Sequence, residues 1–549
     1  MAKKRVVIVG GVAGGATCAA RLRRLDEEAE IVILERGPYV SFANCGLPYY
    51  VGNVIQEESK LLLASPALFR DRFNIEVRTR NDVLAIDRAA STVLVHDLET
   101  GREYNETYDA LVLSPGAAPI RPPWPGIDLP GIFTLRTVPD SKGIRNWIEE
   151  KKPHNAVVVG GGFIGLEMAE NLVHRGIAVT IVELANQVMP PLDLEMAEYA
   201  RQRMESRGVT LALADAVSEF GQGNSCSLIV QTKRGKIYET DLVVLAIGVR
   251  PETSLARDAG LELGERGGIR VDSQMRTRDP RIWAVGDAVE VRNRVTGQWE
   301  LIPLAGPANR QGRVAADEIC GRDTHFDDVQ ATAVCGFFGL TVALTGATEK
   351  SLRRAGLEDF ESIYLHPGHH VGYYPGAQTI HLKLIFCKSD GLVLGAQAVG
   401  EEGVARRIDV IATSIQMKAT VFDLEEAELC YAPQYGAAKD PVNMAGMIAA
   451  NVVRGDTQIA PWDKLDSTEA FLLDVRQPSE FDAGSIPGSV NIPLGQLRSR
   501  MSELPTDREI WINCGVGQRA YYACRILSQH GLHTRNLSGG YSTYRVLHT

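Results

Sequence analysis

At 549 residues the chain is too long for one core, and 45% apolar with 23% charged residues fits a soluble globular protein of about three or four domains. That balance excludes collagenous, coiled-coil and largely disordered chains, and a net charge of −10 argues against nucleic acid as a partner. No apolar run has the roughly 18 residues of a membrane-spanning helix, and nine cysteines without a leader fit reduced thiols in the cytoplasm, with no membrane association.

Met1–Val9 has the outline of a signal peptide, but Gly10, Gly11, Gly14 and Gly15 interrupt it and no cleavage site follows. It reads instead as a strand, Val6–Val9, feeding a glycine turn through Val12 and Ala13. A helix through Ala16–Leu25 follows, then a strand, Ile31–Leu34, ending at Glu35 and Arg36. This is a βαβ dinucleotide fingerprint: glycines admit a pyrophosphate to the backbone, the helix N-terminus stabilises its charge, and the acid binds ribose hydroxyls. The middle glycine of the pattern is Val12.

Ser41-Phe42-Ala43-Asn44-Cys45-Gly46-Leu47-Pro48-Tyr49-Tyr50 comes next. Pro48 suits the first turn of a helix, which would set Cys45 at a positive N-terminus and lower its thiol pKa. Leu111–Gly116, with Ser114, is a buried strand ending in glycine. Val157–Val159 leads into a second glycine turn with the full set Gly160, Gly162 and Gly165, then a helix and the strand Val179–Val182 ending at Glu183. With no arginine just after it, Glu183 favours a free ribose 2′-hydroxyl, hence NADH over NADPH. Val243–Gly248 and Thr277–Asp287 are further strands, ending in Gly248 and in Gly286-Asp287. Two such folds imply two dinucleotides in contact.

In this order the motifs resemble the flavin-dependent pyridine nucleotide–disulfide oxidoreductases over about the first 450 residues. The resemblance implies that the first fold holds FAD, through Gly10, Gly11, Ala13, Gly14, Gly15, Glu35, Arg36, Ser114, Gly116, Gly286 and Asp287. The second would hold NADH through Gly160, Gly162, Gly165, Glu183 and Gly248. Glutathione-reductase-like members carry C-x4-C where this chain has Cys45 and Tyr50. Cys45 would therefore pair with an outside thiol or cycle through a mixed disulfide, persulfide or sulfenic acid. The SFxxC segment is shared by coenzyme A-disulfide reductases, NADH oxidases and NADH peroxidases. The last two carry a histidine in the first glycine turn, where this chain has Ala13. Both motifs are similar to the coenzyme A-disulfide reductase branch.

That branch implies a homodimer in which Tyr373 and Tyr431 reach the partner's redox cysteine and protonate the departing thiolate. It also implies coenzyme A, bound or as a mixed disulfide with Cys45. Candidate contacts are Arg21, Arg24, Ser41, Phe42, Asn44, Arg70, Arg72, Asn309 and Arg313.

After Asp456–Trp462, which reads as a linker, Leu472–Arg476 and Ile510–Asn513 are strands. The loop Cys514-Gly515-Val516-Gly517-Gln518-Arg519 opens a helix from Ala520 to His530. A cysteine with glycine amides around it is a cradle for a thiolate or persulfide, with Arg519 capping the loop, and Cys524 reads as structural. The last 85 or so residues resemble a rhodanese domain. No charge lies between Cys514 and Arg519, so neutral or thiol-bound sulfane sulfur is expected over thiosulfate.

The expected architecture is α/β. Two Rossmann-like domains hold FAD (1–150 and 249–325) and NAD(H) (151–248), followed by an α+β dimerisation domain (326–455), a linker (456–463) and a rhodanese domain (464–549). The expected activity is NADH-dependent reduction of coenzyme A persulfide, polysulfide or coenzyme A disulfide, with no metal. Two rivals are an NADH oxidase or peroxidase, and a sulfur-delivery module with minor reductase turnover.

Overall fold

Runs of valine, isoleucine and leucine without polar alternation are what a parallel sheet covered on both faces requires, and they build the first part of the molecule. The computed structural model describes residues 3–223 and 227–548. One compact unit runs to Asn186 and resumes over Gly208–Ala331; the other joins Gln187–Arg207 to the chain from Thr332 onward.

The first unit contains two parallel five-stranded sheets of matching design. In one, the order is Ile282–Ala284, Ala110–Leu113, Arg5–Val9, Glu30–Glu35 and Glu76–Thr79. In the other it is Ile132–Thr134, Leu242–Leu245, Asn155–Val159, Ala178–Val182 and Thr210–Ala212. Ile132–Thr134 thus joins the second sheet although it precedes the boundary expected at residue 150. In each sheet the central strand feeds a glycine turn and then a helix, Ala13–Leu25 or Phe163–His174. The first of these helices packs on Ala305–Ile319 so closely that a Cβ on Gly312 would lie 2.3 Å from the Gly14 carbonyl oxygen.

The second unit holds an antiparallel sheet in the order Ala333–Phe337, Leu340–Gly346, Val393–Gly400, Ile380–Cys387 and Phe360–Leu365. Beneath it Lys383, 1% exposed, extends its ammonium to Asp193 (2.8 Å), Glu349 (2.8 Å) and Glu195. A parallel four-stranded sheet follows: Val490–Asn491, Phe471–Asp474, Ile510–Asn513 and Thr534–Asn536. The stretch read as a linker is paired, because Asn536 N donates to the Gln458 carbonyl (2.8 Å) and Ala460 N to that of Asn536 (3.0 Å). Burial of Ile459 and Ala460 on that edge supplies the reason.

The turn after the last strand docks on the antiparallel sheet. Tyr364 N donates to Ser538 Oγ (2.8 Å), which donates to the Tyr364 carbonyl (3.2 Å), and Trp462 Nε1 donates to the Ser538 carbonyl (3.0 Å). Beside it His366 contacts Thr543 Oγ1 (2.9 Å) and His381 Nδ1 (2.9 Å), and His381 stacks on Tyr199. Burial pushes His366 down to about 3 and His381 down to about 4, with Arg545 adding to the latter. No helix among the described residues is long and apolar enough to cross a membrane.

Candidate active site

The first glycine turn lines a cavity of about 480 Å³, together with Glu35, Arg36, Phe42, Asn44, Ser114, Gly116, Arg136 and Asp287. Gly10 (φ +92°) and Gly15 are required by the fold itself: a Cβ on Gly15 would lie 1.9 Å from the Gly10 carbonyl oxygen. Gly15 N donates to Ser114 Oγ (3.1 Å), which ties the first glycine turn to the end of the strand Ala110–Leu113, and Gly286 N donates to Gln311 Oε1 (2.7 Å) on the helix Ala305–Ile319. Glu35 clasps the turn, accepting from Gly11 N (2.8 Å) and Gly37 N (2.7 Å). Arg36 pairs with Glu252 (2.7 Å) at the rim.

The segment with the first candidate thiol closes one wall. Ser41 takes a left-handed backbone (φ +49°) and donates its N–H to the Gly11 carbonyl (2.8 Å), so the segment is anchored to the glycine turn. Asn44 accepts from Arg136 Nη1 (2.6 Å) and donates to the Arg136 carbonyl (3.2 Å). Arg136 Nη2 also lies 3.4 Å from Asp287 Oδ2. Burial pushes the Asp287 carboxyl up, and Arg136 opposes it.

Cys45 lies exposed in the 3₁₀ turn Asn44–Gly46, ahead of the short helix Leu47–Val51 with Pro48 in its first turn. The expected drop in its thiol pKa is not what this site produces. Desolvation by the surrounding wall pushes the thiol up, Glu167 and Asp287 add to it, and Arg136 opposes. A one-turn helix supplies little dipole, and the two carboxylates come from segments distant in sequence.

The second glycine turn repeats the first. Gly161 N and Ala185 N donate to Glu183 (2.6 and 2.7 Å), and a Cβ on Gly165 would lie 2.0 Å from the Gly160 carbonyl oxygen. Both acids expected at a ribose thus also brace their own turns. Gly162 differs, because a Cβ there would meet nothing within 4 Å. The fold does not demand this glycine; a ligand lying against the helix N-terminus would. Gly248 has φ +104°.

In the second unit Tyr373 and Tyr431 are brought together, hydroxyl to hydroxyl at 2.8 Å, and this bond raises the Tyr431 pKa. Beside them Arg406 donates to the carbonyls of Tyr435 (2.8 Å) and Cys430 (3.1 Å).

Of the cations proposed for phosphates, Arg21 is paired with Asp317 (2.7 Å) and Arg70 with Asp71 (2.8 Å), while Arg72 lies 5.6 Å from the centre of the Phe73 ring. Asn309 holds Thr17 Oγ1 and the Ala305 carbonyl. Arg24 and Arg313 are exposed. The ion pair removes the charge Arg21 was expected to offer.

Cys514 directly follows the strand Ile510–Asn513 and is 1% exposed, its Sγ accepting from Gly517 N (3.2 Å). Tyr541 N donates to the Cys514 carbonyl (2.7 Å), and a Cβ on Gly540 would lie 2.2 Å from that oxygen, so the docking turn also shapes the thiol loop. Arg519 does not stand as a free cation: it makes a two-pronged pair with Glu480 (2.7 and 2.7 Å) that holds the Glu480 carboxyl down at about 2. Cys524 is buried, its thiol pushed up to about 12 by desolvation. Sequence reading assigned no role to Arg136, Glu167, Arg406 or Glu480. None sits in a local motif, and only the fold brings each to its site.

Comparisons with known proteins agree with this layout. Residues 4–312 match the pyridine nucleotide-disulphide oxidoreductase family, 332–440 its dimerisation domain and 461–546 a rhodanese-like domain. A coenzyme A disulfide reductase of Staphylococcus epidermidis is 35% identical over 443 residues, 80% of this chain and 99% of that one. The crystal structure of reduced Bacillus anthracis CoADR-RHD matches 100% of this chain and 98% of its own, at TM-score 0.97 and 48% identity. An NAD-dependent persulfide reductase from A. fulgidus matches 98% of this chain and 100% of its own, at TM-score 0.91 and 37% identity. The chain therefore belongs to the pyridine nucleotide-disulphide oxidoreductase family, in a form that carries a dimerisation domain and a C-terminal rhodanese-like domain.

Proposed function

We propose that this protein is an FAD-dependent NADH oxidoreductase that reduces coenzyme A persulfide, polysulfide or coenzyme A disulfide at Cys45, as a cytoplasmic homodimer. The observation that carries the reading is an exposed thiol, Cys45, next to Asn44 in the lining of a glycine-walled cavity, with a tyrosine where a second cysteine would stand. The names of the relatives, a coenzyme A disulfide reductase and a persulfide reductase, support the substrate class. The dimerisation-domain match supports the homodimer, and the eight described cysteines, all free, are consistent with a reducing compartment.

The site fits the cofactors. The first glycine turn and its Glu35 clasp would hold the FAD pyrophosphate and ribose, with Asp287 and Arg136 nearer the reacting end, and the open face at Gly162 would take NADH. When bound, the flavin supplies a two-electron relay between nicotinamide and sulfur. Cys45 as thiolate attacks the carbon-bound sulfur of coenzyme A persulfide. The sulfur–sulfur bond breaks, sulfide leaves with a proton, and coenzyme A stays on Cys45 as a mixed disulfide. Two electrons and a proton then free coenzyme A and restore the thiolate, one NADH per sulfide. Tyr373 and Tyr431 of one subunit would supply protons at Cys45 of the other, their mutual bond leaving one hydroxyl hydrogen directed outward. Arg136 holds Asn44 beside the thiol and offsets the two carboxylates that disfavour the thiolate. Cys514 would collect sulfane sulfur as a persulfide and pass it to coenzyme A.

The test is anaerobic NADH oxidation with polysulfide and with coenzyme A disulfide, with sulfide assayed. Cys45→Ser should abolish both reactions while sparing persulfide formation at Cys514, and Cys514→Ser should slow sulfide release only. Full turnover in Cys45→Ser would overturn the reading.

A further inference from the structure

The Cys514 cradle has an electrostatic peculiarity that the loop sequence alone does not show. Gly515 to Gln518 bring no charge, and the one cation of the loop, Arg519, lies against the cradle: a Cβ on Gly515 would be 3.3 Å from Arg519 Nη2. Arg519 also interacts with the Cys514 thiol, but both prongs of its guanidinium are paired with Glu480, its strongest partner, which is itself fixed from several sides. Gln477 N donates to its carboxylate (3.0 Å), and Arg476 Nη1 donates to its carbonyl (3.0 Å). Arg476 is in turn buried against Asp474 (2.7 Å), so the second nearby cation is neutralised as well. At the mouth stand Val516, exposed, and Gln518, which donates to the Tyr522 hydroxyl (3.1 Å).

We propose that Glu480 is a specificity-determining residue: by neutralising Arg519 it leaves the Cys514 cradle without net positive charge and so favours thiol-borne persulfides over thiosulfate. The proposal rests on the reading of Cys514 as a sulfur acceptor. From a protonated thiol persulfide, the Cys514 thiolate takes the terminal sulfur with its hydrogen, and the donor's sulfur–sulfur bond breaks to release a thiolate. From thiosulfate it takes the same sulfane sulfur, and sulfite departs with the bonding pair. Both transfers balance without an external oxidant, but the second brings a dianion to the loop and expels another. A fixed, unpaired cation is what such a donor needs, and Glu480 withholds it.

The experiment uses the full-length protein with Cys45→Ser, without NADH, and follows persulfide formation on the Cys514 peptide by mass spectrometry. Thiosulfate and glutathione persulfide are compared across a concentration series. Glu480→Gln is expected to lower the half-saturating thiosulfate concentration about tenfold. Its maximal rate and its response to glutathione persulfide should stay within about twofold, and Glu480→Asp should keep the parent preference. Gln518→Lys, which adds a cation and leaves the ion pair in place, should give the same gain for thiosulfate and serves if Glu480→Gln does not fold. An equal effect on both donors, no effect on either, or no gain in Gln518→Lys would overturn the proposal. If the parent Cys514 took sulfur from neither donor, the sulfur-acceptor reading itself would fall.

Discussion

Replacing Gly15 by alanine puts a methyl carbon 1.9 Å from the Gly10 carbonyl oxygen and 3.1 Å from Ile8 Cγ2. To open the first contact to even 3.0 Å the helix must retreat by at least about 1 Å, most of the roughly 1.5 Å rise of one residue. It has no room, because Gly312 already lies so close to the Gly14 carbonyl that a Cβ could not fit between them. Overpacking of this kind costs about 1–3 kcal/mol, or about five- to 150-fold in affinity for a ligand that needs the undistorted turn. Gly165 is the twin position, with its clash at 2.0 Å, but in the second fold. Gly15→Ala should therefore purify poor in flavin, read by absorbance. Gly165→Ala should keep its flavin and lose the fast anaerobic reduction by NADH, read by stopped flow. Gly162→Ala separates ligand from fold, since the added methyl meets no protein atom. Its melting temperature should stay near the parent's while the NADH concentration needed for reduction rises. Equal flavin loss in Gly15→Ala and Gly165→Ala, or normal flavin binding in Gly15→Ala, would refute this division of labour.

Tyr373→Phe and Tyr431→Phe should each lower reductase kcat by about a hundredfold or more without changing flavin content, because both rings are largely exposed. Lys383→Met leaves Asp193, Glu195 and Glu349 facing one another beneath the sheet; it should cost about 3–5 kcal/mol, measured by denaturant unfolding. His366 and His381 are held neutral, with folded-state values of about 3 and about 4 against an ordinary 6.5, so the unfolded chain binds protons first as pH falls. Stability should be complete above pH 6.5 and decline from there toward pH 4, and His366→Gln should flatten that slope in calorimetry.

What the sequence made legible was set by neighbours along the chain. A glycine turn between a strand and a helix is determined within six residues, so Gly10–Gly15 and Gly160–Gly165 could be recognised and placed on their strands and helices. The shared role expected of Tyr373 and Tyr431 came only through family resemblance; that their hydroxyls bond to each other emerged from the structure. The electrostatics were not legible. Arg519 looked like a free cation because its partner lies 39 residues away, and Arg21 because Asp317 lies on a helix 296 residues on. Cys45 looked like an easily ionised thiol because its carboxylate neighbours, Glu167 and Asp287, come from other parts of the chain. Local patterns record backbone geometry; charge balance is decided after folding.

The turn Ser538-Gly539-Gly540 has a practical corollary for anyone who would transplant the C-terminal domain. Its outer side is bonded to the Tyr364 backbone, and its inner side supports the Cys514 carbonyl through Tyr541. A chimera that swapped in another sulfur-handling module at residue 456 would carry away the edge pairing of Gln458 and Ala460 together with its partner Asn536. It would also strand a backbone amide and carbonyl on the neighbouring sheet, so the portable piece of this molecule is the domain together with the strand it leans on.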